Sequence, residues 1–171
     1  NRLSWLPSSP IASLLHFLVR NNVNKAVQIL LKNAIAHIRL KEFTQAKELL
    51  QKATVADPKE ADPLRLMAVI AAMEFQFQDA LTHITHALAL DQKNGLAYSN
   101  KGNILKELGR YEEALAALDN AIKLAPTYVE AYSNMGNVLF ELFRPNGYSS
   151  HHQPFKRERS YWCGGFFAAT G

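Results

Sequence analysis

Cysteine is nearly absent from this chain: Cys163 is the only one in 171 residues. A lone thiol excludes an intramolecular disulfide and a cysteine zinc site, and it fits a reducing, cytoplasmic setting. Long hydrophobic runs are missing too. No stretch approaches the roughly 18 apolar residues of a membrane span. Residues 11–19 are apolar but short, and they lack the basic lead-in and small-residue exit of a signal peptide. Glycine is sparse, with 8 residues, and none falls in a phosphate-binding loop or a dinucleotide fingerprint. Charge of one sign is also scarce. The net charge of +4 arises largely from Arg144, Lys156, Arg157 and Arg159, opposed there only by Glu158. The other basic residues do not gather on one face, so nucleic acid is not an expected partner, and neither is a membrane.

What the chain does have is helical period and repetition. Residues 1–9 read as an irregular leader. Ser9–Pro10 is a helix start, a capping oxygen followed by proline at the first helical position. A short helix is predicted over 11–20, broken by Asn21, Asn22 and Asn24, so residues 1–26 form a leader and N-terminal capping helix. Units then begin at Val27, Ala61, Gly95 and Val129, with one constant interval between them. Each first helix has a small residue at one position: Ala34, Ala68, Gly102, Gly136. Second helices carry Ala46, Leu50 and Ala53, then Ala80, Ile84 and Ala87, then Ala114, Leu118 and Ala121. Pro58 and Pro126 end two of them, with Gln92 in the corresponding place, and Asp62–Pro63 resembles a cap with a first-turn proline. Apolar residues recur at helical spacing throughout. One helix pair cannot bury such a stripe alone, and stacking on the next pair buries it. The fold expected is all-α, with an array over 27–143 whose fourth unit lacks its second helix.

Residues 144–171 open on Pro145–Asn146–Gly147, a turn signal, and show no period where a second helix is due. They read as an irregular, disordered tail foreign to the array, although Trp162, Phe166 and Phe167 are unusual in such a tail. Candidate chemistry is thin. His83 and His86 lie three apart on a second helix, without a third ligand, so no metal is expected. No feature activates Cys163. Glu112 and Glu113 suit the start of a helix electrostatically. Nothing places a nucleophile beside a base. The chain is not expected to be an enzyme or to need a cofactor.

Tyr98, Gly102, Leu105, Ala114, Leu118, Ala121 and Pro126 stand at the spacings of a tetratricopeptide (TPR) repeat, and the chain resembles that superfamily over residues 27–142. The phrases AYSNKGNILKELGRYEEALAALDNAIKLAP and EAYSNMGNVLFEL are similar to the TPR region of O-linked N-acetylglucosamine transferases and of bacterial TPR–glycosyltransferase fusions. The resemblance implies a right-handed helical solenoid of about three and a half repeats, binding a protein or peptide in a groove lined by the first helices. An alternative is the substrate-recruiting arm of a larger glycosyltransferase. Groove positions carried over are Asn100, Asn103, Lys106, Asn134 and Asn137, with Arg65 nearer the start. A carboxamide both donates and accepts, and the transferase-like relatives use an asparagine ladder to hold an extended backbone. In the first two units the same slots read Leu31, Lys32, Ile35 and Ile38, then Leu66, Val69, Ala72 and Met73. This is an apolar half that either a partner helix or the leader helix would cover, the leader being favoured. A carboxylate clamp of the chaperone-binding kind does not fit, because Val69 and Glu130 replace an asparagine and a lysine.

Overall fold

The computed structural model describes residues 10–143, with side chains from Phe17 onward. Its elements are α1 (Pro10–Arg39), α2 (Phe43–Ala56), α3 (Asp62–Met73), α4 (Phe77–Leu90), α5 (Gly95–Glu107), α6 (Tyr111–Leu124) and α7 (Val129–Leu142). The described residues contain no strand, in line with the all-α expectation. Residues 1–9 and the tail 144–171 lie outside the described residues. The chain divides within the first turn of α3 into a compact unit ending at Pro63 and another beginning at Leu64.

The first unit is centred on a helix hairpin of α1 and α2. Its small and aliphatic positions, Ala34, Ala46, Leu50 and Ala53, are fully buried. One expectation fails here. The break at Asn21–Asn24 does not occur, and α1 runs unbroken for 30 residues. Asparagine costs a helix at most about 0.7 kcal/mol against alanine. All three asparagines are exposed, where water satisfies their amides, and no glycine or proline forces a stop. A leader helix on the same axis as Val27–Arg39 does not fold back on it, so the favoured self-capping is not seen, and Phe17, Leu18 and Val19 are exposed.

The second unit stacks α3 to α7 around one core. Ala68, Ala71 and Ala72 of α3 join Ala80, Leu81, Ile84 and Leu88 of α4, Ile104 and Leu105 of α5, Ala114 and Leu118 of α6, and Val138 of α7. Close approach is set at Gly102. A Cβ built there falls 2.5 Å from Leu118 Cγ, and Leu118 is itself fully buried. Gly136, one unit later, has nothing among the described residues within 4 Å of such a Cβ.

The turns inside the units repeat as closely as the helices. Lys41, Phe75 and Gly109 are equivalent positions of successive units, and all have positive φ, at 62°, 63° and 74°. Each closes a helix in the same way. Glu42 N–H donates to His37 C=O, Gln76 to Ala71 and Arg110 to Leu105, while the preceding residue donates to Ile38, Ala72 or Lys106. This is the Schellman ending, which favours glycine at the left-handed position. Glycine stands there only in the third unit. The strain at Lys41 and Phe75 is roughly 1–2 kcal/mol each. Ring contact between Phe75 and Phe77, edge-on with centroids 6.1 Å apart, offsets part of it.

Thermal or urea unfolding tests both features. Gly102→Ala overpacks against Leu118 at a cost of about 1–3 kcal/mol, which exceeds the helix-propensity gain of about 1 kcal/mol, whereas Gly136→Ala keeps the gain and stabilises. Equal effects of the two changes would contradict the packing described. In the turns, Lys41→Gly should stabilise by about 1 kcal/mol by relieving the left-handed strain. Phe75→Gly should yield less, because it forfeits a ring contact of about 0.5–1.5 kcal/mol.

Candidate functional site

The sequence places candidate residues on α3, α5 and α7, all within the second unit. The 13-residue α5 forms because Asn94 caps it, its Oδ1 accepting from the Ala97 N–H at 3.0 Å. It is buried on more than one side, with Ala97, Ser99, Asn100, Gly102, Asn103, Ile104 and Leu105 all out of solvent. Four polar or glycine residues in that set mark α5 as different from an ordinary apolar stripe.

Asn100 is 3% exposed and Asn103 8%. Neither amide has a hydrogen-bond partner among the described residues. Every wholly buried side-chain nitrogen or oxygen there is bonded, so the two amides keep their polar atoms at the small surface they retain. Leaving such a group fully dry would cost about 1–3 kcal/mol. Asn134 behaves differently from Asn100, although the two are equivalent by register. It is half-buried, and its Nδ2 donates to Ser99 Oγ at 3.2 Å, tying α7 to α5. Asn137 is exposed. Lys106 pairs with its neighbour Glu107, Nζ to Oε1 at 3.1 Å. Arg65 on α3 is buried. The structure therefore groups Asn100, Asn103 and Asn134 around α5, with Asn137 outermost.

Ser99 and Tyr128 complete the group. Ser99 is buried at the centre, bonded to Asn134 and close enough to the Tyr128 phenol to influence its titration. Burial raises the Tyr128 pKa above its ordinary value, helped by the carboxylate of Glu130, while the Ser99 hydroxyl and the Arg65 charge pull the other way. Sequence reasoning missed Tyr128 because it stands in the turn before α7. Its signal was its place as the last residue of a repeating unit.

The apolar slots expected to line an open groove are mostly core. In the first unit Leu31 and Ile38 are buried. In the second, Leu66, Val69 and Ala72 are buried, and Ile70 and Ala71 beside them leave α3 buried nearly all round. Helical period tells which face is apolar but not how wide the buried sector is. Of the weighed histidines, His86 is exposed and His83 half-buried. No group of three or more metal-ligating side chains converges among the described residues, and no described helix is long and apolar enough to cross a membrane.

Comparison with known proteins gives a consistent set of relatives. Two family profiles match, one described as "TPR repeat" over residues 102–142 and one as "Tetratricopeptide repeat" over 83–116. Curated protein sequences return no match. Among solved structures, an O-GlcNAc transferase mutant from Thermobaculum terrenum is similar at TM-score 0.66 and 23% identity, covering 70% of this chain but 23% of that one. PilF from Pseudomonas aeruginosa is similar at 0.67 and 29%, over 71% of this chain and 55% of that one. The first TPR of Spaghetti (RPAP3), solved bound to an HSP90 peptide, aligns at 0.64 and 21%, over 69% and 94%. The chain thus spans about a quarter of the transferase. At such low identity, the likenesses to the transferase and to Spaghetti are likenesses of fold.

The pH dependence of Tyr128 is open to measurement. A phenol whose folded pKa is raised contributes stability that is complete below the unfolded value of about 10 and is lost as pH rises through the folded value. Tyr128→Phe should therefore lose less stability than the native chain between neutral and strongly alkaline pH, followed by urea unfolding at each pH. Identical alkaline losses would show that Tyr128 is not held in its neutral form by the fold.

Proposed function

The chain is a tetratricopeptide-repeat protein, and we propose that it is a non-catalytic binding module, working in the cytoplasm, that holds an extended peptide of a protein partner against α5 and α7. The observation that carries this reading is the pair of nearly buried, internally unpartnered amides of Asn100 and Asn103. Each offers a donor and an acceptor at a rigid helical surface, the complement that a peptide backbone requires regardless of its side chains. Asn134, held by Ser99, and exposed Asn137 extend the row by one repeat, and Lys106 adds positive charge at the end of α5.

A clamp for a terminal carboxylate is disfavoured. The Spaghetti domain was solved with an HSP90 peptide, but Val69 here is apolar and buried, and Glu130 would repel a carboxylate. The alternative of a recruiting arm for a larger glycosyltransferase keeps the same groove and adds a catalytic domain elsewhere in the gene. It draws on the likeness of residues 95–142 to such proteins, and sequencing the gene beyond Arg144 decides it.

Selection of binders from a displayed library of extended peptides tests the main reading. Changing Asn100, Asn103, Asn134 and Asn137 together to alanine should weaken the selected peptides at least tenfold, since each lost hydrogen bond is worth about 0.5–1.5 kcal/mol. Helicity by circular dichroism should persist. Unchanged affinity in the fourfold variant would overturn the asparagine row as the binding surface.

A further inference from the structure

Two helices of this chain present apolar surface that the repeat pattern normally covers. On α5 the stripe Tyr98, Gly102, Leu105 lies under α6, with Leu118 seated on Gly102. The same stripe on α7 is Tyr132, Gly136, Leu139, continued by Phe143. There Tyr132 is 49% exposed and Phe143 74%, and none of the described residues covers Gly136.

In the other unit α1 overruns its partner. Its 30 residues reach about 45 Å, against about 21 Å for the 14 residues of α2, at about 1.5 Å per residue. Because α2 returns along α1 from a short turn, residues 10–26 extend past it as an arm. The first buried side chain described on α1 is Val27, and Phe17 and Val19 on the arm are 59% and 60% exposed. The arm also stands in second-helix register, with Ala12 one full repeat before Ala46.

Arm and α7 complement each other in length and charge. The arm measures about 25 Å and α7 about 21 Å. The charged side chains of residues 10–26 are Arg20 and Lys25, whereas those of α7 are Glu130 and Glu141. Each helix taken with its own kind would set like charges together, and both carry exposed large apolar side chains, Phe17, Leu18 and Val19 on the arm and Tyr132, Leu139 and Phe143 at α7, of the kind that marks a contact site when they cluster.

We propose that the open face of α7 binds the α1 arm of a second copy of this chain, head to tail. The arm lies along the exposed stripe of Tyr132, Leu139 and Phe143. A contact between unlike surfaces is heterologous, so it propagates into rings or filaments and does not stop at a symmetric pair.

Analytical ultracentrifugation of the whole chain and two variants tests this. Leu18→Asp with Val19→Asp spoils the arm, and Gly136→Glu with Phe143→Asp spoils α7. Leu18, Val19 and Phe143 are exposed and none of the described residues covers Gly136, so both variants should keep the native helicity and melting behaviour. The native chain should gain mass with concentration, less so in high salt. Each variant alone should stay monomeric, while their equimolar mixture should form a species of two chains and nothing larger, since one intact arm meets one intact α7. A native chain that remains monomeric overturns the proposal. So does self-association of either variant alone, which would mean arm-to-arm or α7-to-α7 contact. A native monomer destabilised only by the α7 changes would show that the chain's own later residues cover α7, and would overturn it too. These outcomes are independent of peptide binding by the asparagines, which lie outside both sets of changes.

Discussion

The absence of a side chain at Gly102 fixes how near α5 and α6 lie, and much of the second unit is arranged around that distance. Leu118 fills the space a Cβ would take, and Ala114 and Ala121, one turn to either side of it, are fully buried. With α6 seated this closely, Ile104 and Leu105 of α5 enter the same core as Val138 of α7. Dispersion falls steeply with separation, so a fraction of an ångström at this point is felt across the stack. A glycine inside a helix is unfavourable by itself. It is retained because one close contact permits many ordinary ones.

The turns show the same economy with less success. One backbone ending serves three units, with hydrogen bonds from Glu42, Gln76 and Arg110 to carbonyls five residues back. The geometry is required by the hairpin whatever residue occupies it. Gly109 meets it without strain, while Lys41 and Phe75 are held in it by the helices on either side. Topology thus overrides local preference in two of three cases, at a cost small beside the burial of the paired helices.

Polar residues buried in α5 run against a core built from alanine and leucine. Position resolves the conflict. Ser99 is bonded within the unit by Asn134, whereas Asn100 and Asn103 make no hydrogen bond among the described residues. One helix therefore carries structural bonding on one residue and a rigid, unspent hydrogen-bonding surface on its neighbours.

The repeat period, most of the small positions and the starts of three first helices were legible from residues alone. Ala34, Ala46, Ala68, Ala80, Ala114 and Leu118 are all fully buried, and the first helices of the last three units begin at Asp62, Gly95 and Val129. Helical repeats are readable in this way because each contact joins positions at fixed separations along the chain. The candidate site was only half legible. Register equates Asn100 with Asn134 and Asn103 with Asn137, but packing separates them, burying the first of each pair and leaving Asn137 in solvent. The width of the buried sector on α3 and the run of α1 straight through three asparagines were likewise decided in three dimensions. Sequence determined which residues are equivalent. Only tertiary structure decided which of the equivalents are covered, because exposure depends on what lies across a helix, and period along a helix carries no record of that.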